Sequence, residues 1–219
     1  MNVPNRMNYI EITKPGGPEV LKIMQADVPT PGDHELLIRV HAAGINRPDV
    51  IQRSGKYPMK PGMTPVPGLE VAGEVVGVGA QVADFKLGDK VCALTNGGGY
   101  AEYCVVAATQ SLPVPDGVDM IQAAAIAQTF FTVWANLFEL GRARKGCTVL
   151  IHGGTSGIGT TALMLCKALG IKAFATAGSQ EKCARIRALG GEAIHYREVY
   201  FAQEIARQTH EKGVDVILD

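Results

Sequence analysis

The chain has 219 residues and carries 21 Lys and Arg against 21 Asp and Glu, which leaves no net charge. A neutral chain lacks the bulk attraction that nucleic acid or an anionic membrane surface needs, so neither partner is expected. No apolar run approaches the roughly 20 residues of a membrane-spanning helix. The first residues contain no apolar segment typical of a secretion signal. These features predict a soluble, cytoplasmic protein that is long enough to bury a core.

The cysteine pattern excludes two further kinds of structure. The chain has five cysteines, an odd number, and no two of them form a C-x-x-C pair. Structural zinc sites need closely spaced thiolates, and a disulfide framework needs an oxidising compartment, so neither is expected. We interpret the cysteines as small, reduced, mostly buried side chains. They are Cys92, Cys104, Cys147, Cys166 and Cys183.

The first part of the chain, to about residue 125, has the composition of a β domain. It is rich in Gly, Pro and β-branched residues, and turn segments with Gly and Pro separate its short apolar runs. This pattern predicts a compact, barrel-like domain of antiparallel strands. The predicted strands are Leu36–His41, Gly73–Val78, Lys90–Leu94 and Ala101–Val106.

The periodicity of the apolar residues changes near residue 120. Asp119–Leu140 is rich in Ala and has apolar residues at helical spacing, so it predicts one helix. After it, strands and helices alternate, which is typical of a parallel sheet with helical connections. The predicted strands are Thr148–His152, Lys172–Thr176, Glu192–Tyr196 and Val214–Leu218, and the predicted helices are Thr160–Leu169, Gln180–Leu189 and Phe201–Glu211.

The two patterns predict an α/β protein with two domains. A β-rich domain would occupy residues 1–122, and a doubly wound parallel-sheet domain would occupy residues 123–219. The sequence stops at Asp219, in or just after the fourth predicted parallel strand. A central strand with nothing beyond it would leave an unpaired apolar edge. We therefore expect the chain to be C-terminally truncated.

A glycine-rich turn follows the first predicted parallel strand and precedes a helix. Small residues let the backbone approach a pyrophosphate, and the helix N-terminus offers free N–H groups and a positive dipole end. The spacing differs from G-x-G-x-x-G, and a tight strand–helix turn without a ligand is the alternative. We predict that the turn binds the pyrophosphate of a dinucleotide through Gly153, Gly154, Thr155, Ser156, Gly157, Ile158 and Gly159.

The end of the next predicted strand indicates which dinucleotide binds. NAD sites place an acidic residue near this point for the ribose 2′-hydroxyl. Here the segment is Thr176-Ala-Gly-Ser-Gln-Glu-Lys182, with its acid inside the next predicted helix. Ser179 can hydrogen-bond a 2′-phosphate, Lys182 can pair with its charge, and Tyr196 could lie beside them. These residues favour NADPH, and the alternative is that Lys182 and Tyr196 are ordinary surface residues.

Longer motifs in both parts of the chain resemble a known family. From Gly68 to Val91 the sequence matches Gly-x-Glu-x-x-Gly-x-Val-x-x-x-Gly-x-x-Val-x-x-x-x-x-Gly-Asp-x-Val. This run is similar to the signature of the quinone oxidoreductases and ζ-crystallins, zinc-free members of the medium-chain dehydrogenase/reductase superfamily. Asn46–Arg53 and Ala177–Gln180 look most like the p53-inducible quinone oxidoreductase branch. The resemblance extends from Met7 to Asp219.

The resemblance implies a GroES-like catalytic domain followed by a Rossmann domain that binds NADPH. In the family, two further Rossmann strands and a return segment of the catalytic domain follow, and one of the edge strands forms a homodimer interface. The resemblance also implies that no catalytic zinc is bound. Alcohol dehydrogenase relatives place a zinc-binding Cys where this chain has Asn46, and Gly-His-Glu where it has Gly68-Leu-Glu70.

Without a metal, hydrogen bonds and position must activate the acceptor, which suits a quinone. The resemblance implies that Asn46 and Tyr57 line the site beside the nicotinamide. It also implies that Thr132, at the start of the helix between the domains, contacts the carboxamide. The alternative for each residue is packing or a turn hydrogen bond. The predicted function is a zinc-independent, NADPH-dependent quinone oxidoreductase, with one-electron and two-electron reduction both left open.

Two other functions remain open at this point. The spacing of Asn46 and Tyr57, with Asp49 between them, also looks like that of 2-enoyl thioester reductases. In those enzymes the Tyr is a proposed proton donor to the substrate carbon. The second alternative is that the 219-residue chain is a non-catalytic fragment that binds NADPH weakly or folds poorly.

Overall fold

The computed structural model describes residues 3–59 and 61–219. By its contacts the chain divides into two compact units, Met1–Gln128 and Thr129–Asp219. The first unit is built from antiparallel strands, and the second alternates parallel strands with helices. The fold class is therefore α/β with a β-rich unit preceding a parallel-sheet unit, as the sequence predicts.

The first unit begins with an antiparallel hairpin that the sequence analysis missed. Its strands are β1 (Arg6–Ile12) and β2 (Leu21–Asp27), with a short 3-10 turn at Pro18–Val20 between them. Ile23 is 73% exposed and Met24 is 44% exposed. Apolar and polar residues thus do not alternate with the period of two that marks a half-buried strand, which is why the pattern gave no signal.

The main sheet of the first unit has five antiparallel strands, and their order is β6-β3-β4-β5-β7. The four predicted strands are all present, although the last begins at Tyr103, two residues later than expected. The fifth strand has only three residues and was not predicted. The strands are β3 (Glu35–Ala43), β4 (Glu70–Val78), β5 (Lys90–Leu94), β6 (Tyr103–Ala107) and β7 (Ser111–Pro113).

One face of this sheet forms the main core of the first unit. The members of this cluster alternate along β3, β4 and β5, so their side chains lie on the same face of the sheet, while Ala72 and Cys92 pack in a smaller cluster with Ala123 and Ala124. Cys104 and Val106 of β6 complete the cluster, whose other members are Leu36, Ile38, Val71, Val75, Val91 and Ala93. A single α-helix, α1 (Arg47–Arg53), follows β3, and it was not predicted as a helix.

The predicted helix Asp119–Leu140 is wrong as a single element. It is divided into α2 (Met120–Ala123), α3 (Ala127–Val133) and a π-helical segment, Trp134–Leu140. The first break has a long-range cause. The backbone N–H of Gln128, which would bond to the Ala124 carbonyl in a continuous helix, donates instead to the Glu70 carboxylate at 2.9 Å.

The second unit contains a four-stranded parallel sheet in the order β10-β9-β8-β11. All four predicted strands are present, and the helices between them are present with altered ends. The strands are β8 (Thr148–Ile151), β9 (Lys172–Ala177), β10 (Glu192–His195) and β11 (Val216–Leu218). The helices are α4 (Gly157–Ala168), α5 (Gln180–Ala188) and α6 (Phe201–Gln208).

Two helix ends differ from the prediction for local reasons. Helix α4 begins at Gly157, three residues early, because Ser156 rather than a later residue caps its N-terminus. Helix α6 ends at Gln208, because His210 and Glu211 adopt positive φ angles of 52° and 64° that no α-helix accommodates. The strand β11 accordingly begins later than expected, at Val216.

The parallel sheet buries apolar side chains on both faces. Phe174 is fully buried and packs on one face with Leu150, Ile194 and Ile205. The opposite face packs Val149, Ile151, Ala173 and Ala175 against residues of α4 and α5. Burial on both faces explains why these strands are continuous apolar runs in the sequence.

The cysteines are mostly buried, as expected from composition. All five cysteines are free thiols, and four of them are buried. Burial raises the pKa of Cys104 to about 11 and that of Cys166 to about 11, so neither is a thiolate at neutral pH.

None of the described helices has both the length and the apolar character needed to cross a bilayer.

Replacing Phe174 by Ala tests the core of the second unit. The change removes a fully buried ring between two strands and a helix, so we expect a loss of about 3–5 kcal/mol in the free energy of unfolding. The control Leu140→Ala removes a side chain that is 76% exposed and should change stability by less than about 0.5 kcal/mol. Urea unfolding measures both, and equal losses would contradict this assignment of the core.

Candidate functional site

The glycine-rich turn between β8 and α4 depends on the absence of side chains. A Cβ on Gly159 would lie 2.4 Å from the carbonyl oxygen of Gly153 and 2.7 Å from the Cα of Gly154. Both contacts are with backbone, which cannot move aside as a side chain could. Gly153 also has a φ of +67°, a conformation that favours glycine. The first turn of α4 therefore lies directly against the end of β8.

Thr176 of β9 holds this turn in place. Its hydroxyl accepts a hydrogen bond from the N–H of Gly153 at 3.2 Å, and its carbonyl accepts one from Gly154 at 2.9 Å. The same hydroxyl lies 3.2 Å from Nδ1 of His152, whose ring packs edge-on against Phe201. Thr176 is 4% exposed, so these bonds are shielded from water. The sequence analysis did not single out this threonine.

The N-terminus of α4 is open to an anion. The Ser156 hydroxyl caps the helix by accepting from the N–H of Gly159 at 3.0 Å. The N–H groups of Gly157 and Ile158 have no hydrogen-bond partner in the part of the chain that the structure describes, as is usual for a first helical turn. With the positive end of the dipole of a 12-residue helix, these groups suit a pyrophosphate.

The residues predicted for a 2′-phosphate lie at the carboxyl ends of β9 and β10. Ser179 caps α5 by accepting from the N–H of Lys182 at 3.3 Å, so both belong to the start of this helix. The hydroxyl of Tyr196 would lie 2.7 Å from a Cβ on Gly178, the residue between β9 and Ser179. The structure therefore brings Ser179, Lys182 and Tyr196 to one edge of the sheet.

Arg197 lies at the same edge and was missed by the sequence analysis. Its Nε atom is 3.4 Å from the position of a Cβ on Gly178. The residues on either side of the pair Tyr196 and Arg197 contact each other: Nδ1 of His195 is 2.7 Å from the Glu198 carboxylate. The sequence offered no signal for Arg197, because only the path of the chain after β10 brings it back to Gly178.

A second group of polar residues lies in the first unit, at the N-terminus of α1. We call Asn46, Asp49, Glu70 and Tyr100 the buried carboxylate cluster, since Asp49 is 5% exposed and Glu70 is 2% exposed. Asp49 accepts hydrogen bonds from the N–H of Asn46 at 2.8 Å and from the Tyr100 hydroxyl at 3.0 Å. Glu70 accepts from Nδ2 of Asn46 at 2.8 Å.

Burial controls the ionisation of this cluster. Desolvation raises the pKa of Glu70, the hydrogen bonds from Asn46 and Gln128 oppose that rise, and the charge of Asp49 adds to it. Desolvation together with the charge of Asp49 also raises the pKa of Tyr100 well above its ordinary value, so this hydroxyl stays protonated. At neutral pH the protonated Tyr100 hydroxyl therefore donates its hydrogen bond to Asp49.

The positions that the resemblance aligns with zinc ligands take part in hydrogen bonds and packing in this structure. The amide of Asn46 is bonded to Glu70, and the N–H of Gly68 donates to Asp49 at 3.3 Å. Leu69, between Gly68 and Glu70, is a buried apolar residue. Among the described residues no three His, Cys, Asp or Glu side chains form a group that could hold a metal ion.

The remaining two predicted site residues, Tyr57 and Thr132, are not brought into contact with the other predicted site residues by any hydrogen bond described above. Tyr57 is half-buried in the loop after α1, and it makes no hydrogen bond within residues 3–59 and 61–219 that joins it to Asn46. Thr132 is the penultimate residue of α3 rather than at the start of a helix, and its carbonyl accepts from Nδ2 of Asn136 at 2.8 Å. Thr132 therefore does not lie at the start of a helix, where it was expected.

Comparison with known proteins identifies two family models. The model for the alcohol dehydrogenase GroES-like domain matches residues 32–116. The model for the zinc-binding dehydrogenases matches residues 157–219. The first match covers the five-stranded sheet, and the second covers α4 and the elements after it.

Individual relatives agree with these matches. The quinone oxidoreductase of Rattus norvegicus is 40% identical over 217 residues, which are 97% of this chain and 66% of that protein. The structure of a quinone oxidoreductase from Pseudomonas syringae pv. Tomato DC3000 has a TM-score of 0.86 at 34% identity, over 96% of this chain and 65% of that one. The structure of the CurK enoyl reductase has a TM-score of 0.88 at 28% identity, over 99% of this chain and 67% of that one.

A GroES-like unit followed by a Rossmann-like parallel sheet defines the medium-chain dehydrogenase/reductase class. Within that class, the chain belongs to the quinone oxidoreductase family. It spans 66% of the length of the curated family members that it matches.

Substitution of Gly159 by Ala tests the close approach in the turn. The new Cβ would meet the backbone of Gly153 and Gly154, so we expect the free energy of unfolding to fall by about 2 kcal/mol or more. At Gly157, in the same helical turn, a Cβ would meet only Thr129 Cγ2 at 3.3 Å. Gly157→Ala should therefore leave stability unchanged or raise it by up to about 1 kcal/mol. Equal effects in urea unfolding would contradict the packing described.

Glu70→Gln tests the buried carboxylate cluster through pH. Because its pKa is raised from 4.5 in the folded protein, Glu70 keeps a proton at pH values where the unfolded chain has released it. Stability from this group therefore falls as pH rises from 4.5 through the folded pKa. The Gln variant has no such proton, so its stability relative to the native chain should increase over that range. A difference in unfolding free energy that does not vary with pH would contradict this.

Proposed function

We propose that the protein is an NADPH-dependent quinone oxidoreductase that works without zinc. The observation that supports NADPH most directly is the edge formed by Ser179, Lys182 and Tyr196, which offers donors and a positive charge where an NAD site has an acid. The quinone acceptor is supported by the rat relative at 40% identity and by the family to which the chain belongs.

The glycine-rich turn fits a dinucleotide. The backbone of Gly153–Gly159 has no side chain between β8 and α4 at the closest approach, and the first N–H groups of α4 are open. These groups would bind the pyrophosphate, while the edge at Gly178 would bind the adenosine ribose and its phosphate. When bound, the nicotinamide supplies the reducing equivalents for the acceptor.

The acceptor would be oriented by the first unit. The bond from Asn46 Nδ2 to Glu70 fixes the orientation of the Asn46 amide and leaves its second N–H hydrogen for a carbonyl oxygen. Such a donor can orient a quinone without a Lewis acid. This is consistent with an amide at position 46, where the resemblance to alcohol dehydrogenases would place a zinc-binding Cys. We assign Tyr57 to the same acceptor site and Thr132 to the carboxamide of the nicotinamide, on the family resemblance alone.

Location and assembly follow the same proposal. Five free thiols accord with a reducing compartment, which supports the expected cytoplasmic location. Assembly into homodimers and membership of the p53-inducible branch are implied by the resemblance and stay predictions.

Lys182→Ala is the first test of the cofactor. If the ammonium group pairs with the 2′-phosphate, its loss should weaken NADPH binding by about tenfold and leave NADH binding within about twofold. Calorimetric titration of the chain with each nucleotide measures both constants. Equal losses for the two nucleotides would refute the assignment of Lys182 to the phosphate.

Reduction of a 2-enoyl thioester is a second candidate function. It is favoured by Tyr57, which could donate a proton to the substrate carbon, and by the similarity to the CurK enoyl reductase. The two functions separate in one assay of NADPH oxidation with naphthoquinone and with a crotonyl thioester. We expect faster oxidation with the quinone, and we expect Tyr57→Phe to leave that rate within about fivefold because a quinone needs no carbon protonation.

The opposite results would overturn the quinone proposal. A higher rate with the crotonyl thioester, lost in Tyr57→Phe, would establish the enoyl reductase instead. NADPH binding without oxidation in either assay would support the third possibility, a chain that holds the dinucleotide but does not catalyse.

A further inference from the structure

The space beside Gly178 is shaped by two side chains from the segment after β10. A Cβ on Gly178 would lie 2.7 Å from the Tyr196 hydroxyl and 3.4 Å from Nε of Arg197. The hydroxyl and the guanidinium therefore approach the same stretch of backbone, between β9 and the N-terminus of α5. One small anion could contact both groups at once.

The charges around this space leave Arg197 available. Glu198, the next residue, has its carboxylate 2.7 Å from Nδ1 of His195 and 2.8 Å from Nε2 of Gln180. Glu181, in the first turn of α5, pairs with Arg185 at 2.9 Å. Across residues 3–59 and 61–219, Arg197 itself forms no ion pair. Glu181 is thus paired with a cation, and Glu198 is hydrogen-bonded but keeps its negative charge, whereas Lys182 and Arg197 bring two positive charges to this edge.

We propose that Arg197 binds the 2′-phosphate of the dinucleotide together with Tyr196 and so determines the preference for NADPH. The inference rests on the proposed function, since it takes the dinucleotide to bind along this edge of the parallel sheet. A guanidinium presents parallel N–H donors that match two phosphate oxygens, whereas the ammonium of Lys182 acts as a point charge. Arg197 would therefore supply geometric recognition of the phosphate, to which Lys182 adds charge.

Gly178 has a defined part in this arrangement. Because it has no side chain, the Tyr196 hydroxyl and the Arg197 guanidinium can lie close to the backbone at the end of β9. An acidic side chain at this point, as in an NAD site, would occupy the same space and repel a phosphate. The same local geometry thus favours a phosphate over the acidic side chain of an NAD site.

The test is calorimetric binding to the 219-residue chain and three variants. The ligands are NADPH, NADH, adenosine 2′,5′-bisphosphate and adenosine 5′-monophosphate. Arg197→Gln should weaken NADPH and the bisphosphate by about tenfold or more and leave NADH within about twofold. Arg197→Lys keeps the positive charge but loses the parallel N–H donors of the guanidinium, so it should give an intermediate loss of NADPH affinity. Arg187→Gln, at the other end of α5, is the control and should bind as the native chain does.

Each other outcome overturns the proposal in a recognisable way. If the native chain prefers NADPH and Arg197→Gln preserves that preference, the proposed cofactor stands and the role of Arg197 is wrong. If Arg197→Gln weakens NADPH and NADH equally, with an unchanged circular dichroism spectrum, Arg197 contacts something other than the 2′-phosphate. If the native chain itself does not distinguish the two nucleotides, the proposed NADPH site and the role of Arg197 fail together.

Discussion

The approach of Gly159 to the Gly153–Gly154 backbone is the constraint on which the nucleotide site depends. A side chain at position 159 would force α4 away from the end of β8. Without it, the helix begins immediately after the turn, so its open N–H groups lie beside the carboxyl end of the sheet. Thr176 then fixes the turn to β9, and the chain proceeds from β9 directly to Gly178. The groups proposed to bind the pyrophosphate and those proposed to select the dinucleotide thus share one sheet edge.

In the first unit, Glu70 has a comparable influence. One oxygen of its carboxylate accepts from the Asn46 amide, and the other accepts from the N–H of Gln128. The first bond orients the group proposed to contact the acceptor, and the second interrupts the helical segment that begins at Met120. A buried carboxylate is costly unless it is well hydrogen-bonded, so both bonds are needed to keep Glu70 in place.

The sequence predicted the second unit better than the first, and the reason is physical. Parallel strands are buried on both faces, so β8 and β9 are continuous apolar runs that stand out locally. The hairpin β1–β2 exposes Ile23 and Met24 and gives no such signal. The long helix was overpredicted because alanine-rich periodicity is a local property, whereas the bond from Gln128 to Glu70 joins residues 58 positions apart.

The residues of the candidate site also differ in how well the sequence predicts them. The glycine turn and the residues around Ser179 follow from residue types at fixed positions after a strand, which sequence can supply. Arg197 and the buried carboxylate cluster depend on which loops and strands meet in space, and no spacing rule predicts them. Family resemblance supplied Asn46 and Tyr57 as candidates, but the partner that orients Asn46 appears only in the structure.

On the proposed function, the parallel-sheet unit binds NADPH in preference to NADH. The most direct measurement is a titration of the native chain with each nucleotide, followed by the fluorescence of Trp134, its single tryptophan, and repeated by calorimetry. Trp134 lies in this unit and is 49% exposed, and its ring centroid is 5.1 Å from that of Phe138. We expect saturable binding, with NADPH bound at least about tenfold tighter than NADH. Equal affinities, tighter NADH binding, or no binding of either nucleotide would contradict it.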